Sequence, residues 1–413
     1  MTMKVVQINA VYGNGSTGTI VRNIQSLCVD KGIECFVAYG AGARKEDEHT
    51  YFIGNPVSGK FHALWSRIFG KQGYASWLPT KRLLSHLDRI RPDVVHLHNL
   101  HSNYINLPML LRYLAERDIK TIVTLHDCWF YTGGCTHYTS KQCYEWKEKC
   151  ENCRHRKSFS FGIFGNPEKV LQDRKRLFSA IPRLVVTGVS NWVTYEPFDT
   201  VFKGRQFVPI YNGINLDIFK PAKQFNNPKV WSFHKNLPKD VKIILAPANK
   251  WLLAINKPTL EYFISNLDEN NLFLFFGSMG NMDTETVRRE CSRLNDKVKV
   301  AFWHFTESQE ELAELYSMAD VMVNCTREET LSLINVECQA CGTPVVTYDG
   351  TGVQETVDGK CGFAVASGDY EELFKVTQDV LTRGKQSELC REWAASKFEM
   401  RKNYAKYIEL YNC

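Results

Sequence analysis

One pattern restricts the fold more than any other: short, nearly continuous apolar runs alternate with stretches of helical length along the whole chain. In the first half the runs are Lys4–Asn9, Cys35–Tyr39, Val94–His98, Thr121–Leu125 and Leu184–Val189. In the second half they are Lys242–Pro247, Leu272–Phe276, Val298–Phe302, Val321–Val323 and Val345–Tyr348. A strand that is apolar along its whole length is buried on both faces, and helices between such strands are the crossovers of a parallel sheet. Each half therefore predicts its own doubly wound, Rossmann-like α/β domain. The two domains are expected to face one another across a cleft, with ligands at the C-terminal ends of the strands. A length of 413 residues is enough for two such cores. The boundary is expected within 203–225, where VPIYNGINLDIFKPAK carries turn chemistry and two prolines. Residues 1–205 then form the first domain and 206–390 the second, with 391–413 a C-terminal helix packing back toward the first.

Composition narrows the partners. With 44% hydrophobic and 23% charged residues the chain reads as soluble and globular, and a net charge of +6 is small for its length. That balance admits acidic substrates or an anionic membrane surface but does not argue for nucleic acid. The start, MTMKVVQINAVYGNG, lacks the layout of a signal peptide, and no apolar run approaches a membrane span. A cytoplasmic location follows, with peripheral attachment to the inner face of the plasma membrane as an option. Fourteen cysteines in such a reducing compartment point to metal-bound or packed thiols rather than disulfides.

The most informative stretch is 321–345, VMVNCTREETLSLINVECQACGTPV. It reads as a buried strand, a polar turn over Asn324 to Thr330, and a helix ended by Gly342 before a further strand. A strand, a turn and a helix start form an anion site, because free backbone N–H groups and the helix dipole act in the same direction. Glu329 lies in the turn and Glu337 within the helix, with seven residues between them. An acid would repel a phosphate, so each glutamate is expected to accept hydrogen bonds from hydroxyls beside one. A sugar nucleotide carries both groups. Asn249, Lys250 and Lys257 follow another strand and offer cations for a diphosphate, surface lysine being the plain alternative.

In the first half, NAVYGNGSTGTI places Gly13, Gly15 and Gly18 between a strand and a helix, with Ser16 or Thr17 available as N-cap. The turn suits close approach to an anion, although a glycine-rich turn is as often only a turn. His96, His98 and His101 end one strand; His96 and His98 share a face, as a metal pair or, with better reason, as core histidines. TLHDC puts His126 and Asp127 at the tip of the next strand, where His126 could orient an acceptor hydroxyl or take its proton. Residues 128–153 hold five cysteines, and from Cys135 the spacing is C-x7-C-x6-C-x2-C. Cys135, Cys143, Cys150 and Cys153 suit a tetrahedral structural zinc; His137 could replace one of them, and packed free thiols are the alternative. Residues 59–91 carry seven Lys/Arg and one acid among Phe61, Trp65, Phe69, Trp77 and Leu78. That pattern fits an anionic membrane surface or a solvated basic face on a core helix.

Taken together these motifs resemble family 4 of the glycosyltransferases, the retaining GT-B type. The E-x7-E spacing with ECQACGTPV, YNGINLDIF and GVQETVDGKCGF carry the resemblance in the second half. In the first half NGSTGTI, HLHNLHSNYIN and TLHDCWFYTGGC resemble the capsular or colanic-acid-type polysaccharide subgroup. The resemblance implies transfer of a sugar from a nucleoside-diphosphate sugar to a glycan or an undecaprenyl-diphosphate-type lipid-linked acceptor, in surface polysaccharide biosynthesis. It implies that Glu337 accepts from ribose hydroxyls, Glu329 contacts the donor sugar and the backbone of Thr330 and Leu331 holds the diphosphate. Gly15, Ser16, Thr17 and Gly18 approach the diphosphate from the other domain, His126 lies at the acceptor side, and Lys257 is the phosphate lysine. The chain departs from the family where an arginine usually precedes that lysine, and Lys250 is the substitute. No Asp-x-Asp pair occurs, so no metal is expected to be required for catalysis. Two other classes share part of the pattern. A sugar-nucleotide epimerase or a phosphorylase could share the architecture, but the phosphorylase needs a pyridoxal lysine that is not evident. A zinc-containing nucleic-acid module would use the basic end of CYEWKEKCENCRHRK, which is embedded in an α/β domain.

Overall fold

A computed structural model describes residues 2–44, 47–151, 153, 162–303 and 305–413. The chain divides into two compact units, Met1–Asn212 with Arg401–Cys413, and Gly213–Met400. Unit 1 holds β1 (Lys4–Val11), β2 (Glu34–Ala41), β3 (Thr50–Phe52), β4 (Val94–Leu97), β5 (Lys120–Leu125), β6 (Leu184–Gly188) and β7 (Gln206–Pro209). They form one parallel sheet in the order β3-β2-β1-β4-β5-β6-β7. Unit 2 holds β8 (Lys242–Pro247), β9 (Asn271–Phe276), β10 (Lys299–Trp303), β11 (Val321–Asn324), β12 (Val345–Tyr348) and β13 (Gly362–Val365). Its parallel sheet runs β10-β9-β8-β11-β12-β13. Both are doubly wound sheets of the expected class.

All ten expected strands are present, and the three that sequence reasoning missed, β3, β7 and β13, each lie at the edge of a sheet. An edge strand is covered on one side only, so it needs no continuous apolar run: β3 is half-buried throughout and β7 begins on an exposed Gln206. Because β7 belongs to the first sheet, the boundary falls at Asn212, beyond residue 205. The C-terminal segment is also divided differently from the expected 391–413. The helix Ser387–Phe398 stays with unit 2, where Arg391 donates to the carbonyl oxygens of Phe219, Leu216 and Ala340. Only the chain from Arg401 joins unit 1. There Tyr404, Tyr407, Ile408 and Tyr411 are buried, and Lys120 donates to the Leu410 carbonyl.

The core of unit 2 is built on the central strands, with Ile244, Phe273, Phe275, Val321, Val323 and Val346 packed around Trp251 and Phe263. Buried polar residues also lie inside the sheets, among them Gln7 in β1, His96 in β4, Thr124 in β5 and Asn324 at the end of β11.

Candidate active site

In unit 2, β11 ends on Asn324, whose side chain organises the turn that follows. Its Nδ2 donates to Ser332 Oγ at 3.0 Å and to Asn335 Oδ1 at 2.8 Å, and its Oδ1 accepts from Thr326 N at 3.2 Å. Asn335 in turn donates to Thr356 Oγ1 at 3.0 Å. This buried network ties the turn to the first residues of the helix Leu333–Ala340. Ser332 is the N-cap, but its hydroxyl faces Asn324 and makes no cap bond to the helix's own amides. The helix start is therefore left without the side-chain acceptor that usually satisfies it. Thr330 and Leu331, immediately before, are nearly buried. At the other end Gly342 has φ +83, and a Cβ there would lie 2.8 Å from Ser387, so only glycine ends the helix against its neighbour.

The two glutamates occupy different environments. Glu329 Oε1 is paired with Lys250 Nζ at 2.5 Å, and its other oxygen is buried with no hydrogen-bond partner among the described residues. A carboxylate with one oxygen neutralised and one open is an acceptor for a hydroxyl. The pair is assembled by Asn256, whose Nδ2 donates to the Lys250 carbonyl at 3.0 Å and to the Cys325 carbonyl at 2.9 Å, drawing the short helix Ala248–Trp251 and the turn after β11 together. Glu337 accepts from Tyr316 OH at 3.2 Å. It keeps some exposed surface, yet its surroundings are dense enough that desolvation, only partly offset by that hydrogen bond, lifts its pKa to about 7.

Sequence reasoning missed Arg327. Its Nε donates to Asn256 Oδ1 at 3.0 Å and its guanidinium lies 5.6 Å from the Tyr348 ring centre. The signal was present: a lone arginine inside an otherwise acidic turn, CTREET. It supplies a cation beside the Lys250 loop, where the family's arginine was lacking. Lys257 is not brought to this cluster. It is 71% exposed and pairs with Glu261 on its own helix at 3.7 Å.

In unit 1, the glycine segment follows β1: Gly13 lies in the bend before the helix Gly15–Asp30, and Gly15 to Gly18 form its first turn. Asn14, not Ser16 or Thr17, is the N-cap, and it makes no side-chain cap bond. Gly15, Ser16 and Thr17 form an accessible first turn, while Gly18 is buried because a Cβ would meet Val11 at 3.1 Å. His126 follows β5, two strands across the same sheet. Its ring is hydrogen bonded to His98 at 3.0 Å. Burial, against the favourable charge of Asp127, lowers its pKa to about 4, so it is neutral at physiological pH. Asp127 sits beside it. Burial works to raise Asp127, but a 2.9 Å bond to His101 and the Trp129 N–H outweigh this and hold it below the usual carboxylate range. His96 and His98 are fully buried and hydrogen bonded within the core, as the plainer reading of that pair required.

The cysteine loop is compact. Cys135, Cys143, Cys150 and Cys153 line one cavity of about 10 Å³ with Trp146 and Tyr138. His137 is not among its lining residues. The thiols converge, but among the described residues no three His, Cys, Asp or Glu side chains are grouped in metal-holding geometry. Arg174 is buried over the Trp129 ring and donates to the Trp129 and Thr132 carbonyls, giving the loop a second anchor. The basic residues 154–157 lie outside the described residues. The basic stretch forms the helices Pro56–Phe69 and Trp77–Ile90. They expose Val57, Phe61, Leu64, Trp77 and Leu78, while Thr80, Leu83 and Leu87 face the core. No helix among the described residues is long and apolar enough to cross a membrane.

Two family models match: residues 17–159 match the one described as Glycosyltransferase Family 4, and residues 257–383 the one described as Glycosyl transferases group 1. The chain is a glycosyltransferase of the GT-B fold. This glycosyltransferase is 20% identical over 398 residues to a putative colanic acid biosynthesis glycosyl transferase, WcaC, of Escherichia coli K12, covering 91% of this chain and 90% of that protein. It is 27% identical over 184 residues to the D-inositol 3-phosphate glycosyltransferase of Mycolicibacterium smegmatis, covering 42% of this chain and 39% of that one. Among solved structures, a glycosyltransferase from Rickettsia africae superposes with a TM-score of 0.67 at 18% identity, covering 99% and 98% of the two chains. HepE of Anabaena, solved in complex with UDP-glucose, superposes with 0.62 at 14% identity over 99% of each.

Proposed function

We propose that this glycosyltransferase moves a sugar from a nucleoside-diphosphate sugar, with retention of anomeric configuration, to a glycan or undecaprenyl-diphosphate-type lipid-linked acceptor in surface polysaccharide biosynthesis. The observation that carries the reading is the pair of unlike glutamates on either side of a helix start without a side-chain cap. Glu337 accepts from the ribose hydroxyls and the open oxygen of Glu329 from a hydroxyl of the donor sugar. The backbone at Thr330 and Leu331 holds the diphosphate between them, with Lys250 and Arg327 as the nearby cations. As the glycosidic bond breaks, charge accumulates on the leaving diphosphate. Fixed amides and cations stabilise it without reorganisation at the moment of reaction. On the acceptor side, neutral His126 takes a hydrogen bond from a hydroxyl. The first turn of Gly15–Asp30 is a further amide donor for phosphate.

The test is a panel of sugar nucleotides read by thermal shift. A donor at about 100 times its Kd raises apparent stability by about 2.7 kcal/mol. One nucleotide family is expected to stabilise the protein, and to lose that effect in Glu337→Gln. A panel that leaves the melting temperature unmoved for every sugar nucleotide overturns the reading.

Two supporting features belong to the same proposal. The exposed Phe61, Leu64, Trp77 and Leu78, beside Lys60, Lys81 and Arg82, support attachment to an anionic membrane surface, where a lipid-linked acceptor resides. The four cysteines around one small cavity, with Cys150 held at φ +58, support a structural zinc that orders the loop after His126. Elemental analysis of freshly reduced protein is expected to find zinc at about one per chain; its absence retires the metal.

A further inference from the structure

Unit 1 buries a hydrogen-bonded run of side chains behind His126 that the transfer reaction, as described, does not use. His98 is bonded at both ring nitrogens: Nε2 lies 3.1 Å from Gln7 Oε1, and Nδ1 lies 3.0 Å from His126 Nε2. The other contacts of Gln7 decide which way its amide faces. Its Nε2 is 3.1 Å from the Val21 carbonyl oxygen and 3.4 Å from the Cys35 sulfur. Only the NH2 end can donate to a carbonyl, so the oxygen faces His98. An amide oxygen accepts and never donates, so His98 carries its hydrogen on Nε2. A neutral imidazole has one N–H, which leaves His98 Nδ1 as an acceptor. The 3.0 Å bond therefore requires His126 to be the donor through Nε2.

The rings cannot turn away from this arrangement. His96 packs against His98 at a tilt, with ring centres 4.0 Å apart. It is itself held at both nitrogens, by Tyr411 OH and Thr124 Oγ1, each at 2.7 Å. His96 and His98 are wholly buried, and burial keeps both neutral.

We infer that Gln7 and His98 are positioning residues that lock His126 as the Nε2–H tautomer, so that Nδ1 is the atom with which His126 accepts from a hydroxyl. This rests on the reading of His126 as the acceptor-side group. The lock has a consequence for proton transfer. If a hydroxyl gives its proton to His126 Nδ1, the O–H bond breaks, its electron pair stays on oxygen and the ring becomes cationic. The Nε2–H of His126 stays hydrogen bonded to His98 Nδ1, and because burial disfavours a charged His98 the positive charge remains on His126. Asp127 and His101, beside His126, bear on the same charge with opposite signs.

The experiment is long-range proton–nitrogen correlation NMR on histidine-labelled protein at neutral pH, with no ligand. Signals of His98 and His126 are assigned by their loss in His98→Asn and His126→Gln. Both rings are expected to show the Nε2–H pattern. Gln7→Leu removes the terminal acceptor and is expected to mix the tautomers of both rings. An Nδ1–H or cationic His126 in the wild type, or an unchanged pattern in Gln7→Leu, overturns the inference; the wild-type spectrum is decisive even if that variant does not fold. Turnover gives a second reading with the sugar nucleotide that shifts the melting temperature. His98→Leu is expected to lower kcat at least about tenfold with little change in KM. His98→Asn, whose Oδ1 takes the place of Nδ1, is expected to restore most of it, and failure of that rescue counts against positioning. If His126→Ala transfers sugar at the wild-type rate, the acceptor-side role fails while the NMR result still stands.

Discussion

The residues proposed for the reaction lie in contrasting electrostatic surroundings in the two units. In unit 2 the groups around the turn after β11 are charged or on the edge of it: the Lys250–Glu329 pair, the Arg327 guanidinium, and Glu337 lifted to about 7. In unit 1 the groups behind the strand tips are neutral imidazoles, with His126 lowered to about 4 and linked ring to ring with His98. The difference follows from the tasks proposed for them. A leaving diphosphate needs strong fields that are already oriented. A neutral imidazole keeps one ring nitrogen without a proton, able to accept a hydrogen bond from an acceptor hydroxyl.

The sharpest way to break the comparison is at Glu337. Glu337→Gln is expected to weaken donor binding by about 100-fold, roughly 3 kcal/mol, because a carboxylate accepting two hydroxyls is replaced by a neutral amide. Titration calorimetry checks it, and unchanged affinity removes the ribose assignment. The same substitution is expected to stabilise the free enzyme. A carboxyl raised from its ordinary value to about 7 binds its proton more tightly folded than unfolded. It therefore has no effect at low pH, costs stability progressively between the ordinary carboxyl pKa and about 7, and carries the full penalty above that. The penalty is at most roughly 3 kcal/mol, so the melting temperature of the variant should exceed that of wild type at about pH 8 and converge with it in acid.

Donor affinity itself is the next test. It is expected to rise as pH increases through about 7, as Glu337 becomes an anion, while the neutral state of His126 does not change over that range. A titration of His126 near neutrality would erase the contrast between the units.

Lys250→Met comes next in size. Removing one partner of a pair that is about four-fifths enclosed on both sides leaves Glu329 without its cation. A loss of about 2 kcal/mol in unfolding free energy is expected, below the cost for a fully buried pair because water still reaches both groups. The smallest effect is at the surface. Phe61→Ser is expected to weaken pelleting with phosphatidylglycerol-rich vesicles by about fivefold, roughly 1 kcal/mol, and salt should weaken the wild type further. Salt-independent pelleting would separate this face from any membrane role.

Much of the fold was legible because its central strands are buried on both faces and so must be apolar throughout. Three of the four edge strands were not legible for the converse reason: Thr50–Phe52, Gln206–Pro209 and Gly362–Val365 have a neighbour on one side only and carry mixed residues, whereas the edge strand Lys299–Trp303 kept enough of an apolar run to be read. The glutamate spacing was readable because a turn and a helix are local. What no local pattern could supply was which charges meet across the unit. Lys250 and Lys257 look alike in the sequence, yet Asn256 draws one to Glu329 while the other faces its own helix. Arg327 lay in plain sight as a turn residue and gained meaning only from its contact with Asn256.

Local pattern along the chain was enough for two parallel α/β sheets and for the order strand, turn, helix around Glu329 and Glu337, since each depends on near neighbours; the glycosyltransferase class came from the resemblance of those motifs to a known family. Only the tertiary structure decided the protonation of Glu337, the partner of Glu329 and the linkage of Gln7, His98 and His126. Those depend on burial and on contacts between residues up to ninety-one positions apart, which the folded chain alone brings within hydrogen-bonding distance.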